Sequence, residues 1–143
     1  MSKIILNQKY ISSICKLALN EDLYPSGDIT TSLIKYGTNK SAKIISNEQG
    51  ILAGTEFVKN TFNLIDKKLI VSFKKKNGSI IKKGEVICVI RGEIKNILIG
   101  ERVALNFLSH ISGIATQTNK YLKIVRGKCK ICCTRKTTPT LRV

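Results

Sequence analysis

Two short segments carry polar side chains that packing does not explain: Glu101-Arg102-Val103-Ala104-Leu105-Asn106-Phe107-Leu108 and Cys133-Thr134-Arg135-Lys136-Thr137-Thr138-Pro139. In the second, an Arg, a Lys and the hydroxyls of Thr134, Thr137 and Thr138 follow a short apolar run, Ile131-Cys132-Cys133. α/β proteins bind ligands at the carboxyl ends of their strands, so this order puts hydrogen-bond donors where a ligand would sit. Arginine offers a planar fork suited to a carboxylate, and lysine a point charge suited to a phosphate. Together they describe a pocket for a polyanion. Composition leaves a second reading open at both segments. Arg135 and Lys136 could open a solvated loop, and Arg102 could pair with Glu101 or another surface acid.

The overall charge points the same way without choosing a ligand. Lys and Arg total 25 against 9 Asp plus Glu, a net charge of +16 over 143 residues. Nucleic acid, an acidic membrane and phosphorylated metabolites would each satisfy such a surface. Many of the lysines fall in tracts such as Lys74-Lys75-Lys76 and Lys82-Lys83, which suit solvated turns and edges. A basic nucleic-acid-binding module is the alternative from a different class, but no stacking or zinc motif accompanies the four Tyr and four Phe. Cys129 and Cys132 form a CxxC, yet His110 is the sole histidine and no second cysteine pair completes a zinc site. The five cysteines read as reduced, buried thiols rather than a disulfide framework. Polar residues interrupt the apolar pattern of residues 1–20, and no segment reaches membrane-spanning length, so a cytoplasmic protein without membrane contact is expected.

The elements that must position these groups can be traced along the chain. Ile11, Ile14, Cys15 and Ala18 share one face of a helix over residues 8–19, and Tyr24 to Thr31 form an ordered loop. Apolar residues alternate around Ala42 and Ile44 and resume at Ile51-Leu52-Ala53-Gly54, which predicts two short strands paired with each other. Thr55 is the expected N-cap of a helix that buries Val58, Phe62 and Ile65. Strands follow at Leu69-Phe73 and Val86-Ile90, with turns at Asn77-Gly78 and Lys83-Gly84. Ile97, Gly100, Ala104, Phe107, Leu108 and Ile111 keep helical period over 96–112, and a second helix is expected over 114–125. Ile131-Cys132-Cys133 then reads as a buried strand.

Taken in order, Glu21-Asp22, Gly27-Asp28-Ile29-Thr30-Thr31, Ala53-Gly54, ERVALNFLSHISGIAT (Glu101 to Thr116), TRKTTP (Thr134 to Pro139) and Leu141-Arg142 resemble the quinolinate phosphoribosyltransferases over nearly the whole chain. The long ERVALNFLSHISGIAT block is the specific part of that likeness, and the Asp-Ile-Thr-Thr segment alone would be weak. Two positions depart from the family pattern: Cys133 stands where an acid usually precedes Thr-Arg-Lys, and Thr140 where a glycine usually follows Thr-Thr-Pro.

The resemblance implies an α+β chain. Residues 1–112 would form an open-faced α/β sandwich with an interface helix, and residues 113–143 the start of a truncated, seven-stranded α/β barrel. It implies transfer of phosphoribosyl from phosphoribosyl pyrophosphate to quinolinate, with magnesium (Mg2+), giving nicotinate mononucleotide, pyrophosphate and carbon dioxide in NAD biosynthesis. Arg135 would bind a quinolinate carboxylate, with Thr134 and Lys136 lining the same site and Lys136 nearer the phosphoribosyl group. Arg102 would reach across a homodimer interface into the neighbouring pocket, so monomers would be inactive. The family's later motifs, including the acids associated with magnesium, are not among these 143 residues, and the chain is expected to be incomplete and inactive alone. Within the enzyme class the alternative is a phosphoribosyltransferase-like paralogue linked to molybdenum transport, with a different substrate. A lone first barrel strand would expose an apolar edge at 131–133, expected to be disordered or association-prone.

Overall fold

Asn7 accepts the backbone N–H of Lys9 at 2.8 Å and so caps α1 (Gln8–Asp22), the first element of a computed structural model that describes residues 6–34, 38–132 and 134. α1 buries Ile11, Cys15 and Leu19. Four-residue steps from Ile11 reach Leu19, so it completes the buried stripe in place of Ala18, which is only half-buried. The loop after α1 tightens into a single helical turn, α2 (Ile29–Ser32), capped by Asp28.

Three strands, β1 (Asn39–Ile45), β3 (Ile70–Phe73) and β5 (Val86–Glu93), form an antiparallel sheet in the order β1-β5-β3. Two shorter strands, β2 (Gly50–Ile51) and β4 (Ile80–Ile81), pair separately. The expected pairing of the 41–44 and 51–54 segments with each other therefore does not occur. β5 is long enough to satisfy nearly all of β1, and it sets apolar partners opposite both inward residues: Ile90 faces Ala42, and Cys88 faces Ile44. β3 continues the same rows with Val71 and Phe73. Ser41, Lys43, Ile70, Ser72 and Arg91 alternate onto the other face and are exposed.

Two helices cover the inner face. The first, α3 (Thr55–Ile65), buries Phe57, Val58, Thr61 and Phe62. Thr55 is not its N-cap: Gly54 occupies that position in the left-handed region, with φ of 89°. A β-branched residue would be strained there, and a Cβ on Gly54 would lie 3.0 Å from Ile111 Cδ1. Thr55 instead gives its backbone N–H to Asn77 Oδ1 at 3.2 Å.

The second, α4 (Ile94–Val125), is one unbroken helix of 32 residues. The two helices expected on either side of Gly113 are thus a single one, and the line drawn between 112 and 113 falls inside it. A helical glycine costs about 1 kcal/mol relative to alanine. Side-chain bonds from Ser112 to Ala53 and from Thr116 to Ile51 of β2 hold the helix through that point. Phe62 and Val58 of α3, Ile97, Ala104 and Leu108 of α4, and Cys88 and Ile90 of β5 make the main core. α1 adds a smaller one, in which Ile11 and Cys15 meet Phe57, and Phe107 stacks at 5.0 Å between ring centroids on Phe57.

Helices α3 and α4 on one face of the sheet, with α1 packed on their outer side and the sheet's other face open, are the sandwich that the family resemblance implied. Past Val125 the outcome differs from expectation. Ile131 and Cys132 lie in no strand and are exposed, because among the described residues no strand lies alongside to pair with them. Cys133, Arg135 and Lys136 lie outside the described residues. The cysteines also divide: Cys15 and Cys88 are buried as expected, whereas Cys129 and Cys132 are exposed.

Candidate functional site

α4 positions Arg102, and the helix is itself fixed by its neighbours. Gly100 packs so tightly on α3 that an added Cβ would come within 2.7 Å of Ile65 Cδ1 and 2.8 Å of Phe62 Cε1. Further along, Ser112 Oγ accepts the N–H of Ala53 and donates to its carbonyl, both at 3.0 Å. Thr116 Oγ1 accepts the N–H of Ile51 at 2.8 Å. Two hydroxyls one helical turn apart thus act as a surrogate strand along the free edge of β2 and the two residues that follow it.

On the far side of α4, Arg102 extends into solvent with its side chain 74% exposed. Its Nη1 donates to Asp22 Oδ1 at 2.9 Å, and the Asp22 side chain is only 19% exposed. Of the partners left open by the sequence, the structure pairs Arg102 with this acid of α1 rather than with Glu101. So exposed a pair contributes only about 0.2–1 kcal/mol to stability. A second carboxylate stands close by. Asp28 accepts the N–H of Thr31 at 3.0 Å and also its hydroxyl. These bonds hold the Asp28 carboxyl below its ordinary value, and the charge of Arg102 adds to the effect. Glu21, Asp22, Arg102, Asn106, Ser109 and His110 line one open groove of about 940 Å3.

A different, more apolar groove of about 760 Å3 runs between β1, the turn before β2 and the opposite side of α4. Its lining includes Ile44, Leu105 and Leu108, with Glu101 and Lys120 as its charged helix residues, and it has no arginine. Of the two grooves, the one on the α1 side of α4 is thus the one that offers a guanidinium.

Of the residues singled out from the sequence, Arg102 and Thr134 are described, and Thr134 is exposed beyond the end of α4. α4 spans about 48 Å at 1.5 Å per residue, and Arg102 lies in its third turn. Val125, where α4 ends, thus lies about 35 Å along the helix from Arg102 and nine residues before Thr134. Asp22 went without an assigned role because its partner is 80 residues away. The Asp28-x-x-Thr31 spacing is an N-capping pattern, and that signal was present in the sequence.

A family model described as "Quinolinate phosphoribosyl transferase, N-terminal domain" matches residues 28–112, the stretch that runs from the cap of α2 through Arg102 to Ser112. The chain belongs to this family. It is 40% identical over 119 residues to the "Probable nicotinate-nucleotide pyrophosphorylase (carboxylating)" of Bacillus subtilis, covering 82% of this chain and 41% of that protein. The chloroplastic "Nicotinate-nucleotide pyrophosphorylase (carboxylating)" of Arabidopsis thaliana is 35% identical over 134 residues, covering 93% of this chain and 38% of that protein. Among solved structures, the nicotinate-nucleotide pyrophosphorylase from Francisella tularensis superposes with a TM-score of 0.89 at 31% identity, covering 95% of this chain and 48% of that one. The chain spans half or less of the length of these relatives. In fold as in sequence, it corresponds to the N-terminal part of the family.

Proposed function

We propose that the chain is the N-terminal part of an enzyme that transfers phosphoribosyl from phosphoribosyl pyrophosphate to quinolinate with loss of carbon dioxide, in the synthesis of NAD. The observation that carries this reading is Arg102, a solvent-facing guanidinium on the family-matched helix, lining a groove beside two carboxylates. Quinolinate is a dianion and its co-substrate a polyanion, so cations must offset their repulsion before the pyridine nitrogen can approach the ribose carbon. The nitrogen forms a bond to that carbon as pyrophosphate leaves. The quaternised ring then stabilises the electron pair left when the adjacent carboxylate departs as carbon dioxide, and a proton takes its place.

In this reading Arg102 grips a quinolinate carboxylate across a homodimer interface, while Thr134, Arg135 and Lys136 of the other subunit line the same pocket. The length of α4 between Arg102 and the Thr134 segment supports a site shared between two copies. Magnesium accompanies phosphoribosyl pyrophosphate. Among the described residues no three His, Cys, Asp or Glu side chains gather as a metal site, and Asp22 and Asp28 are already committed to Arg102 and Thr31. In this reading the magnesium ligands come from other parts of the enzyme, and no step here runs through the metal. Among the described residues no helix is long and apolar enough to cross a membrane. A cytoplasmic enzyme of small anions fits the reading, with no role for nucleic acid or a membrane.

The test joins the chain to its barrel half and follows quinolinate consumption. Pyrophosphate and carbon dioxide should appear in equal amounts, and Arg102→Ala should raise the quinolinate KM by roughly 10-fold or more, the loss of one charge-assisted contact. A complete dimer that binds phosphoribosyl pyrophosphate but neither binds nor consumes quinolinate refutes the proposal.

A further inference from the structure

We infer that Asp22 is a positioning residue: it clamps one edge of the Arg102 guanidinium and so presents the other edge to a substrate carboxylate. The inference rests on the reading that Arg102 meets quinolinate.

The argument begins with the asymmetry of the pair. Asp22 is mostly sequestered, with 19% of its side chain exposed, whereas Arg102 keeps 74% of its side chain in solvent. One partner is an anchor and the other a projecting arm. A guanidinium carries five N–H donors in a rigid fork, and the Asp22 bond engages Nη1 alone. That leaves a second edge able to take a carboxylate in the two-bond mode that arginine favours.

Asp22 is not explained by the helix that bears it. It is the last residue of α1, where the negative end of the helix dipole disfavours a carboxylate, and no basic residue lies in that turn to offset it. Its compensating cation comes from α4, 80 residues along the chain. An exposed ion pair that adds little stability can still remove conformations from a long side chain before a ligand arrives. Asp28, the neighbouring acid, does not compete for this role, since both its oxygens are engaged by Thr31.

The test uses the completed enzyme with Asp22→Asn, Asp22→Glu and Arg102→Ala. Asp22→Asn should raise the quinolinate KM about 5-fold, with kcat and the phosphoribosyl pyrophosphate KM within about 2-fold, as expected for lost uniform binding. Asp22→Glu, which keeps the charge, should recover most of the loss. A residue that served only α1 would lower the melting temperature and the active fraction and leave the quinolinate KM in place. If Arg102→Ala raises that KM and Asp22→Asn does not, the positioning role is overturned and the proposed function survives. If Arg102→Ala has no effect, the substrate role of Arg102 fails first. An independent measurement on the 143-residue chain is 15N relaxation of Arg102 Nε. Motion unchanged by Asp22→Asn overturns the inference whatever the enzyme does.

Discussion

Replacing Ser112 by alanine should loosen the joint between α4 and the segment just after β2 by an amount the structure lets one work out. The hydroxyl accepts the N–H of Ala53 and donates to its carbonyl, both at 3.0 Å in a part-buried setting. Losing both leaves two backbone groups imperfectly satisfied, at about 1–1.5 kcal/mol each. Alanine is the better helix former, which returns about 0.5 kcal/mol. The net loss is then about 2 kcal/mol. With an unfolding entropy near 2.1 cal/mol/K per residue, a chain of 143 residues should melt about 7 °C lower. Urea denaturation followed by circular dichroism would measure the change, and the m-value should stay constant if the effect is on stability alone. Amide exchange supplies the local readout: the Ala53 N–H should exchange faster, and the Ile51 N–H, still held by Thr116, should respond less. Ser109→Ala, at an exposed position three residues earlier on the same helix, is the control and should stay within about 0.5 kcal/mol of the parent. A Ser112→Ala protein as stable as the control, with Ala53 protection intact, would show that the hydroxyl clamp carries no weight.

Three further outcomes follow from the same packing and electrostatics. Gly100→Ala should destabilise by about 1–3 kcal/mol despite alanine's helix propensity, because the new Cβ meets Ile65 and Phe62 under 3 Å, whereas Gly113→Ala, facing open space, should stabilise by about 0.5–1 kcal/mol; paired urea melts would show opposite signs. Burial pushes the Cys88 thiol up to about 11 and raises Cys15 as well, so iodoacetamide at pH 8 should label Cys129 and Cys132 in the native chain and reach Cys15 and Cys88 only after unfolding, as peptide mass mapping would record. Asp28 and Glu85 are held below their ordinary values of 3.8 and 4.5, the first by hydrogen bonds from Thr31 and the second by one from Lys75. Their stabilising effect is therefore full above those values and lost as pH falls through the lower folded-state ones. The urea midpoint should drop below about pH 4, and Asp28→Asn should flatten that limb.

Local periodicity carried the helices and the inward-facing residues well. Ile11 and Cys15 of α1, Val58 and Phe62 of α3, and Ile97, Ala104 and Leu108 of α4 are buried as their spacing requires. Pairing partners were not legible, because the alternation at Ala42 and Ile44 states which face is apolar but not which strand lies opposite. The choice of β5 over the 51–54 segment depends on lengths and rows that exist only once the sheet is assembled. Gly54 and Gly113 misled in opposite directions for a related reason. A glycine reads as a stop or a freedom from sequence alone, while its φ and the atoms around it decide whether it caps a helix or lies within one. The polar residues after Ile131 stood out by their place after an apolar run, while the roles of Arg102, Thr134, Arg135 and Lys136 came from the family resemblance. Asp22 needed the fold, since no local pattern joins the end of α1 to the third turn of α4.

The residues from Gly100 to Thr116 divide by direction around α4. Gly100, Ala104, Leu108, Ser112 and Thr116 recur every four residues, and each step advances about 40° around an α-helix. The stripe therefore winds from Phe62 of α3, through the main core, to the edge of β2, and its chemistry changes as it turns from no side chain, through apolar groups, to hydroxyls. Arg102 lies about 200° from Gly100 and emerges on the other side, beside α1. A helix seated at both ends of one stripe has little freedom to slide or roll, and rotation is what would move a guanidinium on its far face. The proposed function would need that group held to within about 1 Å. Neither Gly100 nor Ser112 lines the Arg102 groove, yet both set where Arg102 points, which gives one physical reason for a glycine, two hydroxyls and an arginine to share a single helical segment.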